Sequence, residues 1–267
     1  MTLVEALGLE RSHLVALCGA GGKTSLMFAL AREWAAAGER ILVTTTTKLA
    51  MAEVRAPWPG HRAADIEGVL ALAGKTRNPL VAYRTIDTQR DKAIGFTPDE
   101  IDRLAAIGGF ARILVEADGS ARRPLKAPAG HEPAIPEKAD AVIMVAGLSG
   151  LGQPLGEDTV FRAEFWRNLS GEALGQPVSA RSLARMVTDP CGLARTAPAA
   201  AHRALFLNQA DDDDRLAIGR DVLDCLAHTD GRLPERAVIA RLQPTVMVLH
   251  ATSPRGRVGG PAEGSGG

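Results

Sequence analysis

Aromatic side chains are scarce in this chain, with one Tyr, three Trp and six Phe among 267 residues. Its core must therefore be aliphatic, and with 46% hydrophobic residues there is enough material for one large α/β domain or two small ones. Cysteine is nearly as rare. Cys18, Cys191 and Cys225 stand far apart with no CxxC pair. That spacing argues against a disulfide framework or zinc knuckle and leads us to expect a reducing, cytoplasmic setting. Net charge is also missing: 31 basic residues balance 31 acidic ones. No basic stripe stands out, so nucleic acid is not an expected partner. No apolar run approaches the length of a membrane span, and no membrane association is expected. Met1 to Arg11 carries Glu5 and Glu10 and lacks the apolar centre of a signal peptide. There is no internal repeat.

What the chain does have is glycine in a telling place. Leu14 to Cys18 is an apolar run that ends in Gly19-Ala20-Gly21-Gly22-Lys23-Thr24-Ser25, and a helical pattern follows at once. Strand, glycine-rich turn and helix start are the parts of a phosphate-binding loop. Glycine lets backbone N–H groups approach phosphate oxygens, and the helix start adds unpaired N–H groups and the positive end of its dipole. Lys23, expected on a solvent-facing turn, would reach the terminal phosphates, and the Thr24 hydroxyl would ligate magnesium. The full pattern G-x-x-x-x-G-K-[ST] would need glycine at position 17, where Leu17 stands. The shorter loop resembles that of the Mur-type ligases. An ordinary βα turn with a surface lysine is the competing reading.

The remaining periodicity predicts a helix over residues 23–37, with Gly38 behind it and a second strand over 41–44. Further strands are expected at 80–85, 113–115, 141–145, 204–207, 238–242 and 246–250. Helices are expected at 65–73, from Thr97 to Gly108, and at 157–169, 179–187 and 213–227. Thr97-Pro98-Asp99-Glu100 reads as a capped helix start. Residues 55–62 read as a loop. Alternating strands and helices predict an α/β fold, a mostly parallel sheet flanked by helices and P-loop NTPase-like. We expect a single nucleotide-binding domain over residues 1–255 and a flexible tail over 256–267.

Four further clusters carry chemistry. Ile113 to Val115 runs into Glu116 and Asp118, two residues apart and therefore on one side of a strand end. Ligands gather at the carboxyl ends of parallel strands, where an acid would hold magnesium or orient the nucleophile. A simple Asp118-Gly119 turn is the alternative. Thr44-Thr45-Thr46-Thr47-Lys48 ends the second strand, either as a β-branched terminus or as a set of hydroxyls for metal or substrate. Asn208-Gln209-Ala210-Asp211 follows a strand as N-K-x-D does in GTPases, where the aspartate accepts hydrogen bonds from guanine. Gln209 replaces the lysine, and the acidic run Asp211 to Asp214 also suits a helix cap. The proline-stiffened loop from Ser120 to Glu137 carries Arg122, Arg123, Lys126, His131 and Glu132; its arginines and lysine would stabilise charge in phosphoryl transfer, and a solvated loop is the alternative.

Taken together, the glycine loop, the T-T-T-T-K strand end, E-A-D-G-S-A-R-R-P-L-K-A-P with H-E-P-A-I-P, G-L-S-G-L-G-Q-P-L (Gly147 to Leu155) and N-Q-A-D resemble one family. It is the selenium-dependent hydroxylase accessory proteins, also called the YqeC-type selenium cofactor biosynthesis proteins. The matching positions are Gly19, Gly22, Lys23, Thr24, Glu116, Asp118 and Lys126. The resemblance implies a role in maturing molybdenum hydroxylases, with such an enzyme or its cofactor as partner. Joined to the motifs, it suggests a magnesium-dependent NTPase or phosphotransferase using ATP or GTP. In that scheme Gly19 to Ser25, Asn208 and Asp211 bind nucleotide, Thr24 and Glu116 bind metal, and Lys23, Glu116 and Asp118 serve catalysis. A non-catalytic, nucleotide-switched chaperone or scaffold for cofactor insertion is the alternative.

Overall fold

The structure, a computed structural model, describes residues 1–55 and 57–254; the tail expected over 256–267 lies outside the described residues. The chain runs α1 (Leu3–Leu7), β1 (Leu14–Gly19), α2 (Lys23–Ala36), β2 (Ile41–Thr45), β3 (Lys48–Ala50), α3 (Met51–Arg55), β4 (Gly60–Arg62), α4 (Ile66–Ala73), β5 (Leu80–Tyr83), β6 (Thr85–Asp87), β7 (Lys92–Ile94) and α5 (Pro98–Ile107). It continues with β8 (Arg112–Glu116), β9 (Leu125–Lys126), β10 (Ala141–Gly147), a 3-10 turn (Leu148–Gly150), β11 (Val160–Phe161), α6 (Ala163–Ser170), α7 (Ala180–Thr188), β12 (His202–Asn208), α8 (Asp213–Ala227), β13 (Arg236–Arg241) and β14 (Met247–Thr252).

Nine strands form one sheet in the order β14-β13-β12-β10-β1-β8-β2-β5-β4. Every pairing is parallel except the β13–β14 edge. Helices cover both faces, so the central strands are apolar without alternation. Their side chains still divide by period two: Val15 and Leu17 of β1 join the core layer with α1 and α2, while Leu14, Ala16 and Cys18 join the layer with α4 to α8. Successive strands walk outward from β1 in opposite directions, toward β2 on one side and toward β10 and β12 on the other. That reversal opens a crevice above the carboxyl ends of β1 and its neighbours.

Several local expectations hold. Thr97 caps α5 through a full capping box with Glu100, and Pro98 is its first residue. Asp212 caps α8. Gly38 adopts φ +84° just beyond α2.

Others are corrected by long-range pairing. Residues 80–85 do not make one strand, because the chain leaves β5 at Arg84 and enters a separate antiparallel sheet, β3-β7-β6. The expected loop over 55–62 contains β4, an edge strand parallel to β5. The helix expected from residue 157 begins only at Ala163. Val160–Phe161 pairs with β9, and the Glu157 carboxylate accepts the Arg162 and Ala163 N–H groups that open α6.

Candidate functional site

The glycine loop joins β1 to α2 at the centre of the sheet. Gly19, Gly21 and Gly22 all lie at positive φ (+95°, +80° and +129°), where a side chain is strained. The loop also leaves no room for one. A Cβ on Gly19 would strike the Val145 carbonyl of β10, one on Gly21 the Gly147 backbone, and one on Gly22 the Asn208 amide. Glycine is thus required by the loop's own packing against β10 and β12. Gly22 is the N-cap of α2 and supplies no side-chain cap, so the first-turn N–H groups face the crevice without a protein acceptor of that kind.

Lys23 corrects its expected exposure. It is 4% exposed and folds back, its Nζ donating to the Gly19 carbonyl at 2.7 Å. Two carboxylates flank it, Asp118 at 3.3 Å and Glu116 at 3.8 Å. Burial works against the ammonium, but Asp118 and Glu116 outweigh it and raise its pKa above the ordinary lysine value. Glu116 ends β8, which sits between β1 and β2 and so brings this carboxylate beside the loop. Its Oε2 accepts from the Thr24 hydroxyl at 2.7 Å. Burial pushes the Glu116 pKa up, while Lys23 and Thr24 pull the other way.

Asp118 lies deeper, 1% exposed. Its carboxylate accepts the Gly19 N–H at 3.1 Å and bridges Lys23 to Lys126, whose Nζ is 3.0 Å away. Lys126 in turn meets Glu132 at 2.6 Å, and Glu132 holds Arg162 by two bonds of 2.5 and 3.1 Å. Arg162 stacks over Phe161. Three cations and three carboxylates thus alternate from the glycine loop to the N-terminus of α6. Burial would raise the Glu132 pKa, but hydrogen bonds from Arg162 and Lys126 bring it down to about 2.

Above this layer opens a cleft of about 860 Å³. Gly21, Gly22, Lys23, Thr24, Ser25, Glu116, Asn208 and Asp211 line it together. Gly19, Ala20 and Asp118 lie behind it, so Asp118 meets the loop rather than the cleft. Asn208 donates to the Gly21 carbonyl at 2.8 Å, which ties β12 to the loop, and its buried Oδ1 has no hydrogen-bond partner among the described residues. Asp211 is paired with Arg215 at 2.8 Å and partly exposed.

The threonine run does structural work. Thr44, Thr45 and Thr46 donate to the carbonyls of Ala82, Glu116 and Ala134, tying the end of β2 to β5, to β8 and to the loop before β10. Only Lys48 of that run reaches the cleft. Sequence reasoning also passed over Arg90, Lys92, Leu242 and Gln243 in the lining. The last two follow β13 and carry no motif signal. His131 is exposed, and among the described residues no cluster of three His, Cys, Asp or Glu side chains could hold a metal. None of the described helices is long and apolar enough to cross a membrane.

Fold and crevice define an α/β protein with a helix-capping glycine loop at the reversal point of a mostly parallel sheet. Comparison with known proteins specifies it further. The model of the YqeC protein family matches residues 15–164, the span from β1 through the Glu116–Arg162 network. An Escherichia coli (strain K12) protein described as "Uncharacterized protein YqeC" is 33% identical over 246 residues, covering 90% of this chain and 95% of its own. The chain belongs to the YqeC family.

The shared carboxylate makes two predictions. Asp118→Asn leaves two buried ammonium groups short of a partner and destabilises the fold by about 3 kcal/mol in urea unfolding. Adding Lys126→Met recovers part of that loss, and a cost under about 1 kcal/mol for the single variant contradicts the bridge. Glu132, with its depressed pKa, contributes stability above the ordinary carboxylate range and loses it as pH falls from about 4.3 toward 2. Glu132→Gln therefore trails the wild type by a gap that is constant from pH 5 to 7 and narrows below about pH 4. A gap unchanged at pH 3 contradicts the assignment.

Proposed function

We propose that this protein is a magnesium-dependent nucleoside triphosphatase or phosphotransferase serving the maturation of selenium-dependent molybdenum hydroxylases. The observation that carries the reading is the 2.7 Å bond from Thr24 to Glu116 at the N-terminus of α2. It sets a hydroxyl and a carboxylate, both hard oxygen donors, at the lip of a helix start with no side-chain cap. Those donors suit a magnesium ion, and the open N–H groups suit phosphate oxygens. Thr24 and Glu116 would hold the metal, which when bound supplies charge neutralisation at the phosphates. The loop amides orient the triphosphate, and Lys23 turns from the Gly19 carbonyl toward it. Asp118 acts through Lys23 as a positioning residue. The hydroxylase connection rests on the resemblance described above.

The second reading, a nucleotide-switched scaffold without turnover, is favoured by one feature: the ion network runs from Lys23 to Arg162, beside the exposed Phe165 of α6. A Lys23 drawn toward phosphate would alter the far end of that network.

Glu116→Gln separates the two readings. It keeps the side-chain size and removes the charge, so nucleotide binding persists while magnesium-dependent phosphate release falls by two orders of magnitude or more. Release equal to wild type removes Glu116 from the chemistry, and no release from wild type in any nucleotide favours the scaffold.

The base end carries a sharper proposal. Asn208 fixes the strand end to the loop, and Asp211 would exchange Arg215 for the guanine N1–H and amine. GTP then competes better than ATP, and Asp211→Asn erodes that preference. An ATP preference, or none, in competition binding reduces Asn208 to Asp211 to a structural turn that leads into the Asp212 cap.

A further inference from the structure

The ion network that includes Lys23 is internally neutral. Lys23, Lys126 and Arg162 are matched by Glu116, Asp118 and Glu132. The cleft nevertheless carries further cations, and they gather away from the base end. Lys48 and Lys92 come from the β3-β7-β6 sheet, Arg90 from the turn between β6 and β7, and Arg122 from the turn after β8. Lys48 has Asp87 at 3.2 Å. Among the described residues, no carboxylate lies within ion-pair distance of Arg90, Lys92 or Arg122.

The turn that presents Arg122 is strained. Ala121 and Arg122 both sit at positive φ, +48° and +62°, and the Arg123 N–H closes the turn onto the Ser120 carbonyl at 2.9 Å. Two consecutive left-handed non-glycine residues are conformationally costly, and such outliers cluster at ligand sites.

Topology separates the two ends of the cleft. Asn208 ends β12, two strands to one side of β1, and β3 follows β2, two strands to the other. At about 4.8 Å per strand, the two ends are roughly 19 Å apart with the glycine loop midway. A nucleotide with its base at β12 and its phosphates on the loop fills one half.

We infer that the other half, walled by Arg90, Lys92 and Arg122, binds a second substrate: a phosphate-bearing small molecule brought up to the terminal phosphate of the nucleotide. This rests on the nucleotide reading above. Glu53 and Asp91 share that end of the cleft and the Arg90 charge also acts on Asp87, yet Lys48, Arg90, Lys92 and Arg122 outnumber the acids there, and a surplus of cations on one wall favours a phosphate over a single carboxylate.

Inorganic pyrophosphate serves as the probe, titrated calorimetrically into the full chain saturated with magnesium and a non-hydrolysable triphosphate. One further site is expected, weakened by salt. In the variant Arg90→Ser/Lys92→Ser the affinity of that site falls about tenfold or more, while triphosphate affinity stays within twofold. No binding to the nucleotide-loaded protein, or equal binding by the variant, overturns the inference. If no triphosphate binds at all, the nucleotide reading fails by itself. The same titration on nucleotide-free protein then decides the wall: dependence on Arg90 and Lys92 sustains it, and indifference to them sinks it.

Discussion

Asp118 is one buried carboxylate shared by two buried ammonium groups and a backbone N–H. Lys23, Lys126 and the Gly19 amide all converge on it, within 3.3 Å. An ammonium as enclosed as Lys126, whose side chain is 0% exposed, is tolerable only if it is paired and hydrogen-bonded. Pairing on both sides fixes where β8 must end relative to β1, and hence where the glycine loop stands. It also fixes the loop from Leu125 to Glu132, because Lys126 must reach Asp118 and Glu132 together.

The sheet supplies the other constraint. Insertion of β8 between β1 and β2 sets Glu116 beside the start of α2, so that one carboxylate meets both Thr24 and Lys23. Reversal of the strand order at β1 leaves the crevice open above the loop. The two effects together explain why the lining comes from such distant segments, from Gly21 to Gln243. The strand termini are stapled by threonine hydroxyls and by Asn208.

Local signals were legible and long-range ones were not. The strand–glycine–helix unit announced itself because each part has its own sequence rule: an apolar run, positive-φ glycines, an amphipathic period. Thr97-Pro98-Asp99-Glu100 was readable for the same reason. The burial of Lys23 was not, since it depends on carboxylates more than ninety residues away. Lys126 and Glu132 read as members of one charged loop and Arg162 as part of a helix, because nothing in their spacing says that Asp118 lies beneath them. The β3-β7-β6 sheet is made of three-residue strands, too short for any period to register. Glu116 and Asp118 share a strand end, yet one faces the cleft and the other the loop behind it, a division that period two alone does not make.

We propose that the glycine loop and the start of α2 receive the phosphates of a nucleotide. Backbone amide resonances of Gly21 to Ser25, followed by NMR while magnesium and a non-hydrolysable triphosphate are added, test it most directly. Large, saturable shifts are expected at these amides together with the Asn208 side-chain amide, at one nucleotide per chain. Shifts confined to other parts of the molecule, or none at millimolar nucleotide, would contradict it.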